Sequence, residues 1–188
     1  MVMSSRRARL IVMDLDDLTA ALTLSQRLGF LGDRPIPEVI EHAGGFVDAL
    51  DDVRGRVVDL GSGGGVPGLV IAQQRPDLAL TLVDRRTKRT DFLDRMVHRY
   101  RLRDRVSVEA CDTDSLIGRE GGTFDAAVAR GFGPPMFTLE TGVKLVRPGG
   151  VVVISEPPDG DRWDADAVAA LGVYRRVSGA GVAVFERR

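Results

Sequence analysis

Four glycines, Gly61, Gly63, Gly64 and Gly65, stand between an apolar run of Val57, Val58 and Leu60 and a second run of Leu69, Val70, Ile71 and Ala72. Glycine has no Cβ, so it lets backbone bend through positive φ and close on a ligand. A helix starting just beyond such a turn aims its free N–H groups at the same ligand. Some twenty residues further on, Asp84 ends another apolar stretch, where a carboxylate can accept hydrogen bonds from both hydroxyls of a ribose. Turn and carboxylate together suit a nucleoside, and they do not name it. Gly63, Gly65 and Gly68 also fit the GxGxxG spacing of a dinucleotide site. A P-loop is excluded, because Pro67, Gly68 and Leu69 stand where a Lys-Ser or Lys-Thr pair would have to be. Asp84 has a plainer alternative as the cap of the next helix.

Other residues of chemical interest are few. Arg130 ends an almost continuously apolar run, at the mouth where open α/β sheets bind ligands, and its guanidinium can meet a phosphate, a base or a carboxylate. His42 precedes the first strand, as a local hydrogen-bonding residue or as a group on the substrate side. Cys111 is the single cysteine, so no intramolecular disulfide and no zinc cluster can form, and no histidine is placed to activate it as a nucleophile.

Positioning these groups requires alternating strands and helices. The first helix is expected between Leu10 and Leu31, with Ile11, Leu15, Leu18, Leu22, Leu28 and Leu31 at helical spacing and a break near Gly29 and Gly32. Its stripe either covers the protein's own core or makes a dimer contact. Pro35 and Pro37 argue against a helix running through them, so a short helix is expected from Glu38 to His42, with another turn of helix beyond Gly44 and Gly45. Strands follow at Val57–Leu60, Leu78–Val83, Ser107–Ala110, Phe124–Ala129 and Val151–Ile154. Between them lie the helix after the glycine turn, a basic helix over 85–105, and one opening at Pro134 and Pro135. A turn at Asp159, Gly160 and Asp161 leads to a helix from Trp163 to Leu171. Strands at Tyr174–Val177 and Val182–Phe185, joined by SGAG, end the chain as a hairpin. The alternation gives an α/β domain with a mostly parallel sheet.

At 188 residues one core is expected, divided here into an N-terminal helical extension, 1–35, and a ligand-binding domain, 36–188. Formal net charge is -1, so any nucleic-acid surface must be local. The basic helix supplies one candidate, with nine Arg or Lys against Asp91, Asp94 and Asp104 and a buried stripe of Phe92, Leu93, Met96, Val97 and Tyr100. A solvated helix with internal charge pairs is the alternative. Residues 1–7 read as a short basic tail, and no apolar run is long enough for a membrane span or a secretory leader. A cytoplasmic protein, monomeric or homodimeric, is the expectation.

The joined pattern DLGSGGGVPG, then Leu82-Val83-Asp84, Lys88-Arg89 and Phe92-Leu93, resembles the bacterial 16S rRNA guanine-N7 methyltransferase family, also called the glucose-inhibited division protein B family. The resemblance spans most of residues 36–155. It implies a single-domain Rossmann-like class I methyltransferase fold, a seven-stranded sheet with an antiparallel C-terminal strand and helices on both faces. It also implies S-adenosylmethionine as cofactor, S-adenosylhomocysteine as product, and methyl transfer to small-subunit rRNA, with the basic helix holding RNA. Carried over position by position, the cofactor would meet Asp59, Gly61, Ser62, Gly63, Gly65, Asp84, Arg85, Asp112, Thr113 and Arg130, with Asp112 at the adenine amino group. Arg130 and His42 would stand on the catalytic side, and no metal is implied.

The chain departs from the family in three places. Gly131 replaces the alanine of an Arg-Ala pair, Glu156 stands where a lysine-glycine pair is usual, and a single helix precedes Pro35 where relatives carry more. An acidic Glu156 at the mouth would repel phosphate. A small-molecule methyltransferase built on the same core, and a non-catalytic S-adenosylmethionine-binding partner, therefore stay open beside the RNA enzyme.

Overall fold

The computed structural model describes residues 13–157, 162–176 and 181–188. Expectations for the basic tail, for Ile11, for the turn at Asp159–Asp161 and for residues 177–180 of the hairpin lie outside them. Seven strands form one sheet in the order β3-β2-β1-β4-β5-β7-β6. They are β1 (Arg56–Leu60), β2 (Ala79–Val83), β3 (Val106–Glu109), β4 (Phe124–Ala129), β5 (Val146–Ser155), β6 (Val173–Arg176) and β7 (Val182–Arg187). The first five run parallel, and β7 pairs antiparallel with both β5 and β6. This is the Rossmann-like arrangement expected from the sequence.

Helices cover both faces: α1 (Leu15–Arg27), α2 (Ile36–Asp48), α3 (Gly68–Gln74) and α4 (Thr87–Arg99), then α5 (Thr113–Glu120), α6 (Pro135–Leu145) and α7 (Ala165–Ala170). Alternation along each strand divides the core in two. Val57 packs with α1 to α4, and its neighbour Val58 packs with residues of α5 to α7 on the opposite face. The central strands β1, β2, β4 and β5 are largely buried on both sides, which is why they read as apolar runs, whereas the edge strands β3 and β6 keep exposed residues.

Several element boundaries differ from expectation: β5 opens at Val146, five residues before the expected Val151, and three helices differ at their ends. The first helix begins at Leu15, because Asp14 caps it in a reciprocal box with Asp17. It ends at Arg27 because Gly29 takes φ 72°, with the Gly29 and Phe30 N–H groups bonded back to Gln26 and Ser25. Leu18, Ala21 and Leu22 are buried in the core while Leu15 and Leu28 are exposed, so the apolar stripe is narrower than its leucine count suggests. The second helix runs unbroken from Ile36 to Asp48, with Pro37 in its first turn, where no intrahelical N–H is required of it. The basic helix stops at Arg99, and Arg101 adopts a positive φ of 54° in the loop that follows.

Candidate functional site

Strand register assembles the site. Leu60 of β1 pairs with Val83 of β2 and with Ala129 of β4, while Val83 pairs with Glu109 of β3. Gly61, Asp84, Ala110 and Arg130 therefore leave the sheet at one level, along its carboxyl edge. Strand order reverses between β1 and β4, so this edge holds the crevice in which open α/β sheets bind ligands.

The turn after β1 is built so that backbone lines this crevice. Gly61, Gly63 and Gly65 have φ of 68°, 53° and 96°. A Cβ on Gly63 would stand 3.3 Å from the Arg89 guanidinium, and one on Gly65 would lie 2.6 Å from Leu69. Beneath the turn, Asp59 is fully buried and accepts the Gly68 N–H at 3.1 Å on Oδ2, tying β1 to the start of α3. Its Oδ1 is buried without a hydrogen-bond partner. Burial pushes the Asp59 carboxyl up to about 7, with hydrogen bonding in the turn and the charge of Arg130 pulling the other way. Ser62 donates its hydroxyl to the Asp59 carbonyl, closing the turn on itself.

Asp84 faces the turn across the crevice and is 6% exposed. Its Oδ2 accepts the Gly63 N–H at 3.0 Å and its Oδ1 accepts the Arg86 N–H at 2.9 Å. The Arg89 guanidinium stands 3.6 Å from Oδ2. The helix-cap alternative is not met, since the N-cap of α4 is Arg86 and Asp84 lies two residues before it; its bond to the Arg86 N–H steadies the approach to the helix, while the Gly63 bond locks the glycine turn. Each oxygen has a second lone pair for a ligand hydroxyl.

A cavity of about 340 Å³ opens at this edge, lined by Gly61, Asp84, Arg85, Asp112, Thr113 and Phe137 among others. Its size falls at the lower end of small-molecule sites. Asp112 caps α5, accepting the Ser115 N–H at 2.7 Å, and that bond holds its carboxyl below the usual range. Cys111 lies on the same wall with its thiol pushed up by burial, away from the thiolate form a nucleophile needs.

Arg130 and His42 sit apart from this cavity. Arg130 is half-buried, and burial, followed by the charge of Arg34, lowers its pKa. His42, on α2, lines a second cavity of about 1050 Å³ between α2 and the β7 edge, with Arg34, Glu156 and Gly181. Burial first, then the charges of Arg130 and Arg34, lower the pKa of its imidazole. The structure thus gathers the glycine turn, Asp84, Arg85, Asp112 and Thr113 in one place and sets Arg130 and His42 near each other on the far side of β1.

Glu156 is not the free negative charge that its position suggests. Trp163 Nε1 donates to its Oε2 at 2.6 Å, Arg162 Nε lies 3.1 Å from Oε1 as an ion pair without hydrogen-bond geometry, and Arg175 lies 3.9 Å from Oε2. Trp163 is itself buried edge-on against Phe185, with ring centroids 4.6 Å apart, which makes it a packing residue. Sequence reasoning gave no place at the site to Arg89, Phe132 or Phe137, all of which line the cavity. The two phenylalanines flank the Gly-Pro-Pro turn just after Arg130, and that spacing around a rigid turn was the available signal.

The family model described as rRNA small subunit methyltransferase G, GidB, matches residues 21–156. The chain belongs to this family. Among relatives named ribosomal RNA small subunit methyltransferase G, that of Sorangium cellulosum is 38% identical over 121 residues, covering 64% of this chain and 50% of the relative. That of Corynebacterium diphtheriae is 30% identical over 129 residues, covering 66% and 57%. The chain thus spans about half the length of these curated relatives. Among solved structures, a SAM-dependent methyltransferase from Geobacter sulfurreducens in complex with S-adenosyl-L-homocysteine superposes with TM-score 0.56 at 21% identity, covering 73% of this chain and 65% of that one. The [4+2]-cyclase SpnF superposes with TM-score 0.59 at 19% identity, covering 87% and 72%. Because a cyclase shares the fold, the fold alone fixes no reaction. Among the described residues, no helix is long and apolar enough to cross a membrane and no group of side chains could hold a metal ion.

Proposed function

We propose that the chain is an S-adenosylmethionine-dependent methyltransferase that modifies small-subunit rRNA at a guanine N7 in the cytoplasm. The observation that carries this is the Asp84 carboxylate, locked between the Gly63 and Arg86 N–H groups at the wall of a nucleoside-sized cavity, in a chain of the GidB family. The residues present fit the cofactor. Asp84 would hold the ribose, Gly61, Ser62, Gly63 and Gly65 would let backbone approach it, and Arg85, Asp112 and Thr113 would wall the purine. The orphaned Asp59 Oδ1 is an acceptor beneath the turn, suited to the cofactor's ammonium group.

When bound, the cofactor supplies an electrophilic methyl on a sulfonium. A guanine N7 brings its own lone pair and loses no proton, so the chain needs to position the two partners and exclude water rather than supply a base. Arg130 and His42, whose pKa values burial lowers, are the side chains on the acceptor side, able to donate hydrogen bonds to a base edge or phosphate. RNA is favoured over a small acceptor because Arg162 and Arg175 offset the charge of Glu156. The exposed cations of α4 supply a phosphate-binding face next to the cavity.

Calorimetry with S-adenosylmethionine, S-adenosylhomocysteine and NAD, followed by methyl transfer to hypomethylated small-subunit rRNA, tests the proposal. Binding of the two sulfur ligands alone, with N7 methylation of the rRNA, is expected. Binding of NAD alone would overturn the cofactor. Transfer only to low-mass acceptors would overturn the RNA.

A further inference from the structure

We propose that Phe132 and Phe137 form an aromatic wall against which the purine of the bound nucleoside packs in the smaller cavity. The proposal rests on that cavity being the S-adenosylmethionine site. Both rings line it, together with Asp84, Asp112 and Thr113. Their centroids are 5.9 Å apart with planes 13° from parallel, so the pair is a stacked unit rather than two separate contacts. Phe132 rests directly on the turn, where a Cβ at Gly61 would come 2.9 Å from its Cδ2. A glycine at position 61 thus makes room for the ring as well as for the bend.

Phe137 is the informative member. It is 52% exposed, on the first turn of α6, and belongs to neither core cluster. The other exposed large apolar side chains among the described residues, Leu15, Leu24, Leu28 and Tyr174, do not line this cavity. A ring required only for packing would be covered; this one is left open at a cavity wall. The surrounding backbone is rigid. Pro134 and Pro135 fix the entry to α6, and Thr138 Oγ1 bonds back to the Pro134 carbonyl at 2.9 Å. A ring held in this way loses little freedom when a base stacks on it, which suits a positioning residue. The ribose-binding acid in the same cavity identifies the purine as the cofactor's own and not the acceptor's.

The test uses the full chain with Phe137→Ala, Phe137→Leu and Phe137→Trp. Affinities for S-adenosylhomocysteine and for 5′-methylthioadenosine, which lacks the amino-acid portion, are measured by calorimetry. Phe137→Ala should weaken both by about 5- to 50-fold, with Phe137→Leu between it and the parent. In Phe137→Trp the introduced indole should be quenched by either ligand, over a constant background from the single native tryptophan, buried Trp163. Unchanged affinity in Phe137→Ala overturns the wall alone, as does a loss confined to the KM for RNA. Failure of the parent protein to bind either sulfur ligand overturns the cofactor assignment and the wall together.

Discussion

Asp84 spends one lone pair of each oxygen on backbone, so it holds the glycine turn in shape before any ligand arrives. An asparagine there keeps an acceptor for one N–H group and turns its amide toward the other. Asp84→Asn should therefore weaken S-adenosylmethionine by about 10- to 100-fold, the value of a charge-assisted hydrogen bond of about 1.5–3 kcal/mol, and lower Tm. A lower Tm with unchanged calorimetric affinity would restrict Asp84 to supporting the turn. Asp59 makes a prediction of its own. Its folded pKa of about 7 is raised above the unfolded carboxylate value. Its favourable contribution is therefore complete at low pH and is lost as pH rises from about 4 through about 7, on the order of a few kcal/mol. Asp59→Asn has no such titration, so the Tm of the variant relative to the parent should rise between pH 4.5 and 8. A flat difference would show that the carboxylate is solvated. Asp84 and the glycines could be read from spacing, since their task is set by strand end and turn. The burial of Asp59 and the pairing of Glu156 could not, because both depend on residues brought near by folding: Gly68 and Leu82 in one case, Arg162 and Arg175 in the other.

The glycine turn and α1 are packed as one unit. Ser25 Oγ donates to the Gly64 carbonyl at 2.8 Å, and a Cβ on Gly64 would come within 2.5 Å of that hydroxyl and 2.6 Å of Leu31. Gly64→Ala should therefore cost about 1–3 kcal/mol through overpacking, a fall in Tm of roughly 2–10 °C. Adding Ser25→Ala removes one of the two clashing groups, so the double variant should lose less than the sum of the singles, as read by a double-mutant cycle of thermal or urea unfolding. Simple additivity would mean that helix and turn move independently. This contact spans 39 positions, and nothing local in the sequence announces it. The central strands, by contrast, were plain, since burial on both faces writes them as runs rich in Val, Leu and Ala. The helix ends were less so. Pro37 reads as a stop, yet the first turn of a helix tolerates proline, and the cap at Asp14 outweighs an apolar pattern that runs on to either side.

The net charge of -1 conceals two opposed regions. Residues 35–53 carry Glu38, Glu41, Asp48, Asp51 and Asp52 with no Lys or Arg, whereas 85–105 carry nine cations against three acids. Four of the nine are engaged: Arg89 at Asp84, Arg99 over the Tyr100 ring at 5.8 Å, Arg103 in a two-oxygen contact with Asp94 at 3.0 and 2.9 Å, and Arg105 at the Ala72 carbonyl. Arg85, Arg86, Lys88, Arg95, Arg99 and Arg101 are exposed. Lys88, Arg95 and Arg99 recur at i, i+7 and i+11, so they share one face of α4. Phosphates bound on that face must release counterions, and the release is counted by the slope of log K against log salt. Replacing Lys88 and Arg95 together by Gln should reduce the slope for single-stranded RNA by roughly 1.4, about 0.7 per contact removed. Arg103→Gln should leave it nearly unchanged, because that guanidinium is already committed to Asp94. Fluorescence anisotropy from 50 to 300 mM salt, with S-adenosylhomocysteine affinity measured alongside as a check on folding, separates the cases. An unaltered slope in the Lys88→Gln, Arg95→Gln double variant would place the RNA elsewhere. A reduced slope with intact ligand binding would fix this face of α4 as the phosphate contact beside the crevice.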